Sequence, residues 1–447
     1  MTSERITIHR DPLPGLWRPL AEGFRARSDA RARGLRGELG LPGDRPVVMS
    51  GHQAFFWHCG ILAKVFAADS AARGLGGAAG WAVVDQDEAE FSVIRVPVRD
   101  GRNRLGVQEL RLCDPPAAGV ASGSLPSFEA RSLRPTGGPF ALPSVSWGAA
   151  SLTESLLSRR AEPSAARQVG EATFDLLGSY VSRPRLVYAT DLSRTEMFRW
   201  VVDRMASDPA AAVGAYNESV GRFPEAGLAA LGSDAGKNRF ELPLWRLESG
   251  KARRRVWSDQ VRGVEVGLLA PRALLLTGFL RLFACDLFIH GQGGAVYDRV
   301  TEAWMERWLG LRLAPTVMVS ADVRLPFEEA SVSESEVARA VWRAAHARHD
   351  PGLAGRDDLV PRKRAMVETI RSLRERGEDA RAVYLEMHRM LATYRDQERG
   401  RLGDLRDEAE KQVARLASAG IAGDRTWAFP FHRAETLTAL RDGLSSA

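Results

Sequence analysis

Short apolar segments alternate with helical patterns in the first part of the chain. The first apolar segment, residues 46–50, ends at Gly51 and is followed by helically spaced apolar residues over 61–66. A second apolar segment covers residues 81–85 and runs into several acidic residues. A strand, a helix and a strand within about forty residues are typical of a parallel βαβ unit. The pattern therefore predicts an α/β protein with a parallel sheet.

The same alternation returns twice further along the chain. Residues 186–191 are predicted to form a strand that leads into a helix at about 196–205. Residues 273–289 are apolar and lead through a glycine-rich loop into a helix that continues to Trp308. Residues 315–320 are predicted to form the last strand of the core.

Two stretches that interrupt this alternation are predicted to be insertions. Residues 101–180 contain many proline and glycine turns, with one helix near 151–180. Residues 206–262 are polar and end in strand-like pieces around Leu242 and Val256.

From about residue 361 onward, apolar residues recur at intervals of three and four among dense arginine and glutamate. They are Met366, Ile370, Leu373, Val383, Met387, Met390, Tyr394, Leu402 and Leu405. This spacing predicts a helical hairpin or short coiled coil, which packs either on its own chain or against a second copy. We expect three parts. Residues 1–330 form a core that contains the two insertions, residues 331–422 form a dimerising helical arm, and residues 423–447 pack back on the core.

Composition narrows the class of protein. The chain has 447 residues, of which 45% are hydrophobic and 26% charged, and its net charge is +6. These values fit a soluble protein of several domains and are too weakly basic to indicate a nucleic-acid partner. Three scattered cysteines without a CxxC pair argue against a disulfide framework and a structural zinc site. No apolar run opens the chain, and charged residues interrupt its most apolar stretch, so we expect a cytoplasmic protein with no membrane partner.

The strongest candidate site is the loop between the first predicted strand and its helix. Gly51 and Gly60 allow the backbone to approach a ligand, and a helix N-terminus favours an anion. His52 and His58 can donate hydrogen bonds to phosphate or carboxylate oxygens, and Lys64 lies one turn into the helix. The alternative is that both histidines are satisfied turn residues and that Lys64 is solvated. Convergence of three polar groups on one βα loop favours a small-molecule site.

A second glycine-rich loop also joins a strand to a helix. It begins at His290 and contains Gly291, Gly293 and Gly294. The loop is neither a GxGxxG motif nor a P-loop, but three glycines in four positions favour close approach to a ligand. Tyr297 and Asp298 follow it and can bind a sugar or an amine. Alternatively, Tyr297 belongs to the core and Asp298 is a first-turn acid favoured by the helix dipole.

Acidic and basic residues at other strand ends complete the candidate site. Asp85 and Asp87 end a predicted strand, where they can bind a metal, an amine or a ribose hydroxyl, or can belong to a solvated loop. Asp191 ends a later strand, and Arg272 is a candidate for anion binding.

These motifs resemble the bacillithiol-biosynthesis cysteine-adding enzyme family. The resemblance rests on the sequence Gly51, His52 and Gln53, on the acidic strand end near Asp85 and on the Gly-Gly-Ala-Val-Tyr stretch at 293–297. Members of that family have a Rossmann-like core of the HUP type, related to class I aminoacyl-tRNA synthetases. They also carry inserted connecting segments and dimerise through a coiled coil. The resemblance implies the same architecture here.

Two further motifs are similar to those of the synthetases. The sequence at 58–61 resembles the start of the HxGH motif, and the loop at 290–294 resembles the His-Gly-Gly-Gly loop of cysteinyl-tRNA synthetases. By this resemblance, His52, His58 and Gly60 face the phosphates of a nucleotide. Gly293 and Gly294 then approach its adenosine.

The resemblance implies a nucleotide-dependent ligase that joins an amino acid, such as cysteine, to a small amine or amino-sugar thiol precursor. ATP is the expected cofactor, with magnesium as a further candidate. A carboxylate would attack the α-phosphate while His52, His58 and Lys64 stabilise the developing charge. Asp85 or Asp87 would bind the amine or act as the base.

Two other functions remain open from the sequence. One is a non-catalytic dimeric ligand-binding or scaffold protein of the same fold, because the second HxGH histidine and a KMSKS-like loop are missing. The other is a sugar-nucleotide-using transferase that depends on a metal bound by Asp85 and Asp87.

Overall fold

The computed structural model describes residues 6–25, 30–234, 236, 238–327 and 332–445. It confirms a mixed α/β protein with a mostly parallel central sheet. The strands are β1 (Ile6–Asp11), β2 (Val47–His52), β3 (Ala78–Val83), β4 (Val93–Arg99), β5 (Leu105–Arg111), β6 (Arg185–Tyr188), β7 (Ser233–Asp234), β8 (Arg239–Arg246), β9 (Arg254–Trp257), β10 (Leu269–Pro271), β11 (Leu287–His290) and β12 (Thr316–Val323).

Helices are distributed along the whole described chain. They are α1 (Trp17–Arg25), α2 (Ala30–Glu38), α3 (Cys59–Gly74), α4 (Pro143–Ser158), α5 (Ala165–Leu177), α6 (Glu196–Ser207), α7 (Pro209–Arg222), α8 (Ala273–Phe279), α9 (Gly294–Leu309), α10 (Glu334–His346), α11 (Val360–Glu375), α12 (Arg381–Gln397), α13 (Arg399–Gly423) and α14 (Ala434–Ser445). A short π-helix, Leu280–Ala284, extends α8.

The central sheet has six strands in the order β1-β12-β11-β2-β3-β6. Strand β1 runs antiparallel to β12, and the other neighbouring pairs are parallel. The five parallel strands, numbered in chain order and read from the β6 edge, therefore follow the order 3-2-1-4-5. The direction of winding reverses between β2 and β11. In open α/β sheets, ligands bind at such a reversal, outside the carboxyl ends of the strands.

The buried strand β2 separates two hydrophobic cores. Val47, Val48 and Met49 are fully buried, as expected for a central strand covered on both faces. Val48 packs in the core that contains α3, whereas Val47 and Met49 pack in the core that contains α9. This alternation follows from the two-residue period of a strand. The continuous apolar pattern at 46–50 thus reports burial on both faces.

The predicted insertions contain more regular structure than the sequence suggested. The first contains β5, which pairs with β4 in an antiparallel hairpin, and it holds two helices, α4 and α5, where one was predicted. In the second, the strands predicted around Leu242 and Val256 are confirmed as β8 and β9, and these two residues are partners in the pairing. Strands β10 and β7 flank β8 in the same small sheet. Strand β1 was not predicted.

Helices α10 to α13 form a helical arm. Its buried residues include Leu391 and Tyr394, and the Tyr394 hydroxyl donates a hydrogen bond of 2.6 Å to Ala347 O. Met387, Met390, Leu402 and Leu405 of the predicted stripe pack in the same cluster. The expected boundary at 330/331 lies outside the described residues.

After the arm, the chain returns to the central sheet. Helix α14 packs against α3 and β1, and the Arg10 guanidinium donates to Gly443 O. In the part of the chain that the structure describes, no helix is both long and apolar enough to cross a membrane.

Candidate functional site

A cleft of about 480 Å³ opens at the carboxyl ends of β2 and β11, where the sheet reverses direction. This volume lies within the range of about 300–1,000 Å³ that is usual for small-molecule sites. Twelve predicted site residues line the cleft: Gly51, His52, Gln53, His58, Gly60, Lys64, Asp87, His290, Gly291, Gly293, Gly294 and Tyr297. The two glycine-containing loops therefore meet at one site, as expected for neighbouring parallel strands.

Local hydrogen bonds fix the tautomers of His52 and His58. Nδ1 of His52 accepts a hydrogen bond of 2.9 Å from Gln53 N, and Nδ1 of His58 accepts one of 3.0 Å from Gly60 N. A neutral imidazole that accepts at Nδ1 carries its proton on Nε2. Both rings can therefore donate a hydrogen bond to a ligand in the cleft.

Burial keeps both imidazoles neutral. It is the main cause that lowers the pKa of His52 to about 2, and the charges of Lys64 and His58 add to this effect. Burial also lowers the pKa of His58 to about 4, with further contributions from Arg425 and Lys64. At neutral pH these rings act as hydrogen-bond donors rather than as cations.

Lys64 is the buried cation of the cleft. Its side chain is 5% exposed, and Nζ donates a hydrogen bond of 2.7 Å to Gly51 O and lies 5.4 Å from the centre of the Trp81 ring. Among the described residues, no carboxylate forms an ion pair with Nζ, and burial lowers the pKa of Lys64 to about 7. Fully buried lysines are rare unless they are paired, so this position favours an anionic ligand.

The two helices that begin at the cleft differ at their N-termini. His58 caps α3, because its Nδ1 accepts from Gly60 N and its carbonyl accepts from the amides of Ile61 and Leu62. Helix α9 follows Gly293 and has no side-chain cap. Gly294 N donates a hydrogen bond of 3.0 Å to Gly291 O, so the first-turn N–H groups after Gly294 are those that can interact with an anion.

Several cleft glycines are required by neighbouring protein atoms. A Cβ on Gly51 would lie 2.5 Å from Ala82 O, and one on Gly60 would lie 2.7 Å from the His58 ring. A Cβ on Gly294 would lie 2.4 Å from the ring of His290. A Cβ on Gly293 would meet no protein atom within 4 Å, so a ligand can approach the backbone at this glycine.

Asp85 and Asp191 were predicted as site residues but do not line the cleft. The Asp85 carboxylate is buried and accepts hydrogen bonds from Thr190 N at 2.9 Å and from Thr190 Oγ1 at 2.5 Å. Burial raises the pKa of Asp85 to about 6. Asp191 forms an ion pair of 2.5 Å with Arg167. Both acids connect the ends of β3 and β6 to neighbouring residues instead of facing a ligand.

Arg272 and Asp298 also lie outside the cleft lining. Arg272 forms an ion pair of 2.7 Å with Glu241 and stacks over Trp245. Asp298 is the fifth residue of α9 rather than a first-turn acid, and its carboxylate accepts a hydrogen bond of 3.0 Å from Arg281.

His290 lies between the cleft and the ion pair formed by Asp298 and Arg281. Its Nε2 lies 3.0 Å from Oδ1 of Asp298, but the two atoms are not aligned for a hydrogen bond. The ring lines the cleft and packs against Phe288.

Asp87 lines the cleft but is already paired. Its carboxylate accepts a hydrogen bond from Arg253, which also binds Glu88 at 2.7 Å. Within the described ranges, no group of three histidine, cysteine or acidic residues is arranged to hold a metal ion. Because Asp85 binds Thr190 and Asp87 binds Arg253, the acidic pair does not fit a resident magnesium ion.

Several cleft residues were not predicted from the sequence. They are Ile61, Ala82, Val84, Ala273, Leu276, Thr277, Leu280, Phe288, Gln292, Ser320 and Arg425. Most of them are apolar and form an apolar wall of the cleft. Ser320 lies near the end of the predicted last strand, a position that signals a site in α/β sheets, whereas nothing in the local sequence marks Arg425.

No protein-family model matches the chain, and neither does any curated protein. The cleft is therefore the feature of this protein that indicates its function. It combines neutral hydrogen-bond donors, a buried ammonium group, an uncapped helix end and an apolar wall, which together suit an anionic group attached to a less polar body.

Proposed function

We propose that the cleft binds the phosphate groups of a nucleotide, with ATP as the first candidate, and that the protein is a nucleotide-dependent ligase. The observation that carries this proposal is Lys64, a buried ammonium group without a carboxylate partner among the described residues. His52 and His58 line the same cleft, and each has its Nε2–H available because Nδ1 accepts a backbone hydrogen bond. Such preorganised donors stabilise charge that develops at a phosphate during acyl activation.

The topology and the family resemblance both support this proposal. The parallel strand order 3-2-1-4-5 is that of Rossmann-like sheets, in which a nucleotide binds at the reversal of winding. This order supports our proposal that the chain is a Rossmann-like protein of the HUP type. The resemblance to the cysteine-adding enzymes of bacillithiol synthesis then suggests transfer of an amino acid, such as cysteine, to a small amine.

The proposed reaction assigns a task to each of three groups of cleft residues. When bound, ATP supplies an activated phosphate that makes an amino-acid carboxylate reactive. The Lys64 ammonium group offsets part of the negative charge on the phosphate oxygens, and the neutral imidazoles of His52 and His58 donate hydrogen bonds to them. Asp87 is the acidic group that can attract an incoming amine, provided that Arg253 releases it. The apolar wall at Leu276, Leu280 and Phe288 excludes water from the remainder of the ligand.

Binding and turnover can be measured with one matched pair of variants. Calorimetry of the full chain with ATP should show binding that is weakened by about 2 kcal/mol in Lys64→Met, which keeps an unbranched side chain without the charge. Lys251→Met is the control, because Lys251 is exposed and pairs with Glu248 outside the cleft. Equal ATP affinity in both variants would contradict the proposal. Binding without any nucleotide turnover across amino acids and amines would favour the non-catalytic scaffold.

We also propose that the protein forms a homodimer through the helical arm. The arm exposes large apolar side chains, including Trp342, Tyr384 and Leu385. Light scattering should therefore show a dimer for the native chain and a monomer for Leu385→Glu. Trp147→Glu changes an exposed aromatic residue of α4, outside the arm, and should leave the dimer intact.

The proposed setting is the cytoplasm. All three cysteines are free and buried, which fits a reducing compartment.

A further inference from the structure

The segment after the arm brings one more charged residue to the cleft. We call residues 424–429 the strap. At its beginning, Asp424 forms an ion pair of 3.3 Å with Arg95 of β4. At its end, Phe429 N donates a hydrogen bond of 2.7 Å to Trp57 O, and Ala428 pairs with the backbone of His58. The strap is thus held against β4 at its beginning and against the loop that precedes α3 at its end.

Arg425 of the strap lines the cleft together with His58, Gly60 and Ser320. One of its nitrogen atoms, Nη1, donates a hydrogen bond of 2.5 Å to Asp322 Oδ1 at the end of β12. The other oxygen of Asp322 lies 3.2 Å from His9 Nε2. Arg425 is therefore oriented by an acid that has a second partner, and the guanidinium retains further N–H groups for a ligand.

We propose that Arg425 is an anion-binding residue of the cleft and that it holds a phosphate group of the ligand together with Nε2 of His58. This inference rests on the proposed function in taking phosphate as the anion. A guanidinium group presents several N–H donors in one plane and remains charged at every physiological pH. Phosphate offers more oxygen atoms than a carboxylate and can bind Arg425, His58 and Lys64 at the same time.

A purely structural role makes a different prediction. If Arg425 only neutralised Asp322, its replacement would change stability and leave the affinity of the cleft for anions unchanged. If it binds the ligand, affinity must fall even where the contact with Asp322 is kept. Arg425→Gln distinguishes the two roles, because the amide can still donate to Asp322 but carries no charge.

The test uses calorimetry of the full chain with inorganic pyrophosphate, ATP and succinate. Arg425→Met and Arg425→Gln should weaken pyrophosphate binding by at least about tenfold, as expected for the loss of a charge-assisted hydrogen bond. Arg425→Lys should lose less. Arg441→Met is the matched control, because Arg441 pairs with Asp442 on α14 and lies outside the cleft. Its affinity should equal that of the native chain.

The possible results separate this inference from the proposed function. Native affinity for pyrophosphate in both Arg425→Met and Arg425→Gln would overturn the inference, as would a native chain that does not bind pyrophosphate. If the Arg425 variants lost binding of succinate but not of pyrophosphate, the assignment of phosphate as the anion would be wrong. Arg425-dependent binding of pyrophosphate without any binding of ATP would support the inference and reject the nucleotide-dependent ligase.

Discussion

The loop after β2 and the loop after β11 meet in one cleft, yet they satisfy their backbone groups in different ways. In the first loop, His58 caps α3, His52 accepts from Gln53 N, and Lys64 binds Gly51 O. The second loop leaves the beginning of α9 without a side-chain cap. The first loop thus fixes the orientation of its donors before a ligand arrives, whereas the second offers backbone N–H groups directly. A preorganised donor set binds more tightly because less ordering remains to be done on binding.

The largest expected effect concerns the packing of the first loop. Gly51→Ala places a Cβ 2.5 Å from Ala82 O, between two paired strands that cannot separate easily. We expect a loss of about 3 kcal/mol in the free energy of unfolding, measured by urea denaturation. Gly291→Ala in the second loop meets only a normal contact with Lys64 and should change stability by less than about 0.5 kcal/mol. Similar losses in the two variants would show that the close contact of Gly51 with Ala82 does not limit stability.

The next effect concerns the charge that the first loop holds. Lys64→Met should lower the affinity for ATP by about 2 kcal/mol, because a charge-assisted hydrogen bond is lost. Since burial lowers the pKa of Lys64 to about 7, its ammonium form is lost as the pH rises through 7. Affinity of the native chain should therefore fall above pH 7.

Calorimetry across pH 6–9 checks this dependence. In Lys64→Met, the remaining dependence of ATP affinity on pH comes from groups other than Lys64, including ATP itself. The difference between the affinity curves of the native chain and the variant gives the contribution of Lys64. Parallel curves would show that the charge of Lys64 does not contribute to binding.

A smaller effect separates the cap from the donor in His58. His58→Ala removes the cap of α3 and should cost about 1 kcal/mol of stability. His58→Asn supplies another acceptor for Gly60 N and should restore that stability, yet both variants lack the imidazole Nε2–H and should bind ATP weakly. Full ATP affinity in His58→Asn would show that the ring serves only as a cap.

His58 also makes the stability of the native chain depend on pH, and His58→Asn removes this contribution. The pKa of folded His58 is lowered to about 4, below its ordinary value of 6.5. The unfolded chain therefore binds a proton first, and stability is lost as the pH falls from 6.5 towards 4. The melting temperature of His58→Asn should fall less steeply than that of the native chain over this range. The raised pKa of Asp85 acts in the opposite direction but is common to both proteins and cancels.

The smallest effect tests the open end of α9. Gly293→Asp places a negative charge in open space at the beginning of α9 and should stabilise the helix by a few tenths of a kcal/mol through the helix dipole. Its negative charge should also weaken the binding of ATP. Gly293→Asn has the same shape without the charge, so a loss of affinity in the aspartate variant alone indicates electrostatic exclusion. Unchanged affinity in both variants would show that the ligand does not approach α9.

Local sequence patterns were sufficient to predict the central strands and both loops of the cleft. The segment at 46–50 became β2, and the glycine-rich loop led into α9, because burial and turn formation leave marks within a few residues. Asp85 had the expected position at a strand end, but its side chain binds Thr190 from the end of β6. Which way such a side chain points depends on a neighbour far away in the sequence.

Arg425 shows the same limit more clearly. It follows a long helix in an arginine-rich chain, and only the path of the strap brings it to His58. Strand β1 was missed for a related reason, because an edge strand is partly exposed and lacks the continuous apolar pattern of β2.

The path of the strap also imposes an order of assembly during synthesis. Arg425 leaves the ribosome several hundred residues after the loop that carries His58, once the whole arm has been made. At about 5–20 residues per second, tens of seconds separate these events. A nascent chain can therefore hold a nearly complete sheet while its cleft still lacks Arg425, so the charge balance of the site is completed only after the arm has been synthesised.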